Sequence, residues 1–190
     1  MFHKAYPLLA EAGIMAIGVD TPGFGNSDVP DPRPSVADYA SAFGPVLDHF
    51  GLSSASFLGH HTGAANVAEF AHQFPDRVDK IVFNGPPVFN AKERDSKVAM
   101  PGPSPIQADG SHLKIRWDAR MAATVGWSDL DAMHNNVLQT LWAGGTFWYG
   151  HKAAYEYDIT EAFMGLQMPT LILTNTGDDI YFLSCRARDM

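Results

Sequence analysis

Cysteine is almost missing from this 190-residue chain: Cys185 stands alone, which excludes an internal disulfide and suits a reducing compartment. Basic charge is scarce as well. Thirteen Lys and Arg face 21 Asp and Glu, for a formal net charge of -8, which argues against a nucleic-acid or anionic-membrane partner. No apolar run approaches the length of a membrane span. The start, Met1-Phe2-His3-Lys4, leads into an apolar pattern broken by Glu11 and is not a signal-peptide core. A cytoplasmic protein is the expectation. Zinc-type spacing of Cys and His is absent, and His60-His61 are adjacent rather than four apart on a helix face, so no metal is expected. Gly59-x-x-x-Gly63 lacks the Gly-Lys-Ser/Thr ending of a phosphate loop, and Pro22-Gly23-Phe24-Gly25 lacks the third glycine of a dinucleotide fingerprint. No cofactor is therefore implied, and no repeat or low-complexity tract is visible.

What is present is apolar content of 46%, ample for a core in a single domain. Residues 4–12 predict a short helix with Tyr6, Leu8 and Leu9 turned inward and Gly13 as stop. Ile14 to Val19 is a near-continuous apolar run, the pattern of a strand buried on both faces of a parallel sheet. A turn-rich loop follows, Asp20-Thr21-Pro22-Gly23-Phe24-Gly25-Asn26-Ser27. Ser35 with Asp38 three residues on predicts a capped helix running to Gly51, kinked at Gly44-Pro45. Ala55, Phe57 and Leu58 read as a strand. The next helix carries Val67, Phe70, Ala71 and Phe74 at i, i+3, i+4 and i+7, and Pro75 ends it. Ile81 to Asn84 predicts another strand.

From Gly85 the pattern changes. Residues 86–110, with five prolines, read as linker; 111–166 read as helices, with Ser111 and Ser128 as candidate caps. All four tryptophans (Trp117, Trp127, Trp142, Trp148) lie in that helical stretch. Pro169 then opens a strand over 170–174, followed by the acidic turn Asn175-Thr176-Gly177-Asp178-Asp179. Alternating strands and helices predict an α/β fold with a mostly parallel sheet and helices on both faces. Ligands of such sheets sit beyond the carboxyl ends of the strands, where loops 20–27, 59–63 and 175–179 are expected to converge.

The chemistry centres on Leu58-Gly59-His60-His61-Thr62-Gly63-Ala64. A strand, a glycine-bracketed turn and a helix form the pattern that pushes one side chain out of a sharp elbow, and in G-x-S-x-G the middle residue is the nucleophile. Here that residue is His61. The glycines are expected to let strand and helix approach closely. Thr62 opens the helix, so its N–H stands where an oxyanion donor would be.

Asp20-x-Pro22-Gly23-Phe24-Gly25-x-Ser27, Leu58-Gly59-His60-x-x-Gly63-Ala64, Phe74-Pro75-Asp76-Arg77-Val78 and Pro169-Thr170-Leu171-Ile172-Leu173 before an acidic turn, in this order, resemble the capped branch of the α/β-hydrolase superfamily. The resemblance implies core segments at 1–85 and 167–190 and a helical cap at 86–166. It puts His61 in the nucleophile position, Thr62 at the oxyanion, Asp178 or its neighbour Asp179 as the acid, and His60 in a packing role. Trp142 and Trp148 are candidate substrate-binding residues of the aromatic lid, since enclosed ligand sites favour aromatic walls.

The departures matter as much. Serine, cysteine or aspartate is the usual apex residue of that family. His61 could attack an activated acyl group, act as base on water, or mark a member that only binds. The family's first strands and His-Gly loop would precede Met1, and its triad histidine would follow Met190, so the chain reads as a fragment. Of the remaining histidines, His3, His49, His72, His112, His134 and His151, only His134 and His151 could face the cleft, from the cap. Exposed sheet edges would then favour self-association. The expected activity is hydrolysis of a small, largely apolar ester, amide or related substrate. The alternatives are a ligand-binding member, or a lyase or haloperoxidase type.

Overall fold

The computed structural model describes residue 2 and residues 4–124 and 126–190; His3 lies outside the described residues. Helices α1 (Ala5–Glu11), α2 (Val36–Ser41) and α3 (Phe43–His49) precede β1 (Ala55–His60) and α4 (Thr62–Gln73). Then come β2 (Val78–Asn84), helices α5 (Ala91–Val98), α6 (Ser111–Ala122), α7 (Leu130–Ala143), α8 (Phe147–Glu156) and α9 (Thr160–Met164), β3 (Thr170–Leu173) and α10 (Tyr181–Arg188). None of the described helices is long and apolar enough to cross a membrane.

Among the described residues the sheet has three parallel strands in the order β1-β2-β3. Its register sets Phe57 against Ile81 and Gly59 against Phe83, which in turn faces Ile172. Side chains alternate across a strand. This row therefore shares one face, and it packs under α4 with Val67, Phe70 and Ala71. Phe43, Phe57 and Phe70 form the aromatic centre, with ring centroids 5.1–5.7 Å apart, a geometry in which tilted and edge contacts add to area burial. The helix α2 starts as its sequence predicts: the Ser35 hydroxyl accepts from the Asp38 N–H while the Asp38 carboxylate accepts from the Ser35 N–H. Tyr39 and Ala40 on that helix are fully buried.

Several expectations are corrected. The 35–50 helix is interrupted at Ala42 rather than kinked at Gly44-Pro45; Pro45 has no N–H for the Ser41 carbonyl four residues back. Ile14 to Val19 forms no strand. Ile14, Met15 and Val19 are exposed and the segment pairs with none of the described strands. Tyr6 and Leu8 are exposed as well, and α1 buries none of its residues. The stretch read as linker holds α5, whose Asn90 and Glu93 form a capping box. Ser111 and Ser128 do not cap. Gly110 takes the N-cap position of α6, and the Asp129 carboxylate caps α7 by accepting the Ala132 N–H at 3.0 Å.

Candidate active site

The elbow forms between β1 and α4. His61 has φ +48° and ψ -113°, the one positive φ among the described non-glycine residues. Such a conformation is costly for a residue with a Cβ and persists only where its surroundings enforce it. They do so here from both sides. The His61 N–H donates to the Asn84 carbonyl at 2.9 Å, tying the apex to β2, and the Ala64 N–H donates to the His61 carbonyl at 2.8 Å. Gly59 is the residue that permits the close approach: a Cβ there would lie 2.5 Å from the Gly63 carbonyl oxygen and 2.7 Å from Ala64 backbone. Gly63 itself faces open space, so only one of the two glycines is required by packing.

The elbow aims the imidazole at the turn after β3. His61 Nε2 lies 3.0 Å from Asp178 Oδ2, across 117 residues of sequence. The Asp178 side chain is 6% exposed and that of His61 40%. Burial works against ionisation of Asp178, but the Ile180 N–H at 3.0 Å and the His61 imidazole outweigh it and hold the carboxyl below the usual aspartate range. An ionised carboxylate can only accept, so His61 Nε2 carries the hydrogen of this contact. Asp179 is exposed and takes no part in the pair. Thr62, the first residue of α4, has an N–H with no intrahelical acceptor.

His60 lies behind the pair, its ring stacked on His61 at 4.0 Å. Burial, with the neighbouring His61, pushes its pKa down to about 4, and its Nδ1 is buried without a partner among the described residues. Gly85, at φ +67°, was hidden in the sequence as an ordinary strand end. A Cβ there would lie 2.6 Å from His61 Cδ2 and 2.9 Å from Asp178 Oδ2, so a bare backbone is what lets the dyad close. The signal that could have found it is a glycine directly after a strand and before Pro86-Pro87.

From above, α8 reaches the site. A Cβ on Gly150 would meet Phe24 and Thr62 at 3.4 and 3.5 Å, so the 20–27 loop arrives through Phe24 although no strand precedes it. Trp148 stacks on His151 at 5.1 Å. Trp142 stands apart: it is 83% exposed and lines a groove of about 210 Å³ with Gly23, Asn26, Val29 and Thr146, to which His61 does not contribute. His134 is exposed on α7. No group of three or more His, Cys, Asp or Glu placed to hold a metal occurs among the described residues.

An elbow with a strained apex, an acid after a later parallel strand and a helical segment over both define a known architecture. A family model for the alpha/beta hydrolase fold matches residues 1–180, and the chain belongs to that family. It is 27% identical over 95% of its length to a non-heme haloperoxidase of Rhodococcus erythropolis, covering 74% of that protein. It is 36% identical over 85 residues to a 2-hydroxy-6-oxononadienedioate/2-hydroxy-6-oxononatrienedioate hydrolase of Burkholderia vietnamiensis strain G4. That match spans 44% of this chain and 30% of the relative. Among solved structures, the epoxide hydrolase of an endophytic Streptomyces superposes with a TM-score of 0.76 over 99% of this chain and 72% of its own, at 16% identity. The bromoperoxidase of Bacillus anthracis gives 0.74 over 96% and 73%, at 19% identity.

Proposed function

We propose that the chain carries the site of a hydrolase for a small, largely apolar ester, amide or related acyl substrate, with His61 as attacking group and Asp178 as its orienting acid. The observation that carries this reading is the 3.0 Å contact between His61 Nε2 and a carboxylate that is itself almost wholly buried. A histidine held in one tautomer by an ionised acid presents a lone pair at its other nitrogen, which is what nucleophilic attack requires. The acyl carbon is attacked by Nδ1 while the carbonyl oxygen turns to the Thr62 N–H at the positive end of α4. The bond to the leaving group breaks with its electron pair going to the leaving group, and an acyl-imidazolium, its Nε2–H still paired with the Asp178 carboxylate, remains on His61 for water to hydrolyse. In this reading residues 86–166 act as a cap that supplies apolar walls, Trp148 among them.

The test is turnover of aryl esters of increasing acyl length. His61→Ala, His61→Asn (a residue that tolerates positive φ) and Asp178→Asn are each expected to lose about 10²–10⁴-fold. Equal turnover by wild type and both His61 variants would remove His61 from the mechanism. The likeness to a non-heme haloperoxidase along nearly the whole chain supports a second reading, a haloperoxidase type. Bromide-dependent halogenation with hydrogen peroxide, abolished in the same variants, would favour it.

A further inference from the structure

A second concavity lies beside the 20–27 loop, and neither His61 nor Phe24 contributes to its walls. It holds about 210 Å³ between that loop and the C-terminal end of α7. A cavity of about 150 Å³ already accepts benzene, and pockets for drug-sized ligands begin near ~300 Å³. The groove is therefore the size of one substituted ring. Two large apolar side chains are left uncovered around it, Trp142 at 83% and Val29 at 62% exposure.

Serine, threonine and asparagine also line the groove, yet it offers few donors. Thr146 Oγ1 has one hydrogen, shared between the Gly23 carbonyl at 2.9 Å and the Ala143 carbonyl at 2.7 Å. Ser27 Oγ donates to the Asp20 carbonyl at 2.6 Å. The N–H groups of Gly23, Asn26 and Ser27 donate to the Asp28 carbonyl, the Asp20 carboxylate and the Phe24 carbonyl, at 2.9, 3.2 and 3.0 Å. Among the described residues no charged side chain lines the groove. An anion or a polyhydroxyl ligand needs several donors, and here they are turned inward. What is left to a ligand is an indole, a valine and the exposed carboxamide of Asn26. The same bonds fix the loop, so the walls are in place before a ligand arrives.

We propose that this groove binds a single uncharged aromatic ring, packed on Trp142, with a ring hydroxyl or carbonyl paired to the Asn26 carboxamide. The site is separate from the elbow and does not rest on any catalytic role of His61. Phe24, flanked in sequence by groove-lining Gly23 and Gly25, turns instead to Gly150 and Thr62.

Equilibrium dialysis at pH 7 of p-cresol, 4-methylbenzoate and methyl β-glucoside against wild type and variants is the test. Wild type and His61→Ala are expected to take up one equivalent of p-cresol with the same Kd. Trp142→Ala should bind it about 10-fold more weakly. Val29→Asp, which sets a charge on the groove, should weaken it as well. Non-saturable uptake by wild type, or wild-type binding by both groove variants, would overturn the site. Binding lost in His61→Ala but kept in Trp142→Ala would move the ring to the elbow and overturn it too. The benzoate or the glucoside bound as tightly as p-cresol would overturn the ligand class.

Discussion

His60 has a role that is thermodynamic rather than chemical. It lies under the catalytic candidate, stacked on it, and its environment resists protonation down to about pH 4. An unfolded chain binds that proton near pH 6.5. Because the folded pKa is depressed, the stability it contributes is present above pH 6.5 and is lost as pH falls from there to about 4. The loss expected from this one group is of order 3 kcal/mol. Urea midpoints at pH 7.5 and pH 4.5 check it. Wild type should weaken over that window more steeply than His60→Gln, and equal slopes would show that the buried imidazole is not the acid-sensitive group. The same residue explains why the adjacent pair could be ranked from sequence. An elbow exposes one side chain at its apex and turns its neighbour back along the strand, so chain position alone separates His61 from His60.

At the scale of elements, legibility followed apolar periodicity. The helices α2 and α4 and the strand β2 bury regular rows, β1 and β3 turn Phe57 and Ile172 to the same core, and the sequence pattern finds all of them. Helix α5 has no such row: Ala91-Lys92-Glu93-Arg94-Asp95-Ser96-Lys97-Val98 is mostly polar and buries none of its residues. It is held by its ends instead. Glu93 closes the capping box with Asn90 and also takes both guanidinium nitrogens of Arg186, at 2.7 and 3.0 Å, while Arg186 reaches the Val88 carbonyl at 2.7 Å. Such a pairing of α5 with α10 joins residues 93 positions apart and leaves no trace in local spacing. The Arg186 guanidinium pulls the Glu93 carboxyl down to about 2, against a small burial cost and with help from the Asn90 N–H. Its stability contribution is thus complete above pH 4.5 and is lost as pH falls towards 2. Glu93→Gln is expected to cost about 1 kcal/mol at neutral pH, the pair being partly solvated, and to flatten the pH dependence of thermal unfolding between those limits. An unchanged profile would mean that the pair contributes nothing measurable.

The whole molecule explains why two distant loops meet and why one apolar run forms no strand. Parallel strands deliver their carboxyl ends to one edge, so His61 after β1 and Asp178 after β3 meet although far apart in sequence; that inference needed only strand order and direction. Ile14 to Val19 fails for the complementary reason. An apolar run states that a segment needs cover on both faces, not that neighbours are there to give it, and here none of the described strands pairs with it. The sheet carries the same imbalance. Leu58, Val82 and Leu171 are in register across all three strands, on the face opposite Phe57, Ile81 and Ile172. Leu58 is 49% and Leu171 53% exposed, whereas the other face is packed under α4. A contiguous apolar row beside strand edges that pair with no strand among the described residues is a surface that favours association. A second copy of this chain is the occupant we expect, because the strand edges of β1 and β3 and the row between them are available on every copy. Sedimentation velocity across a concentration series should then show weight-average mass rising with concentration. Leu171→Lys, a charge on the exposed face that leaves Ile172 and the α4 side untouched, should bring it back towards a single chain. A wild-type chain that stays monomeric throughout, with a cooperative melt, would mean that the bare face is satisfied by solvent alone.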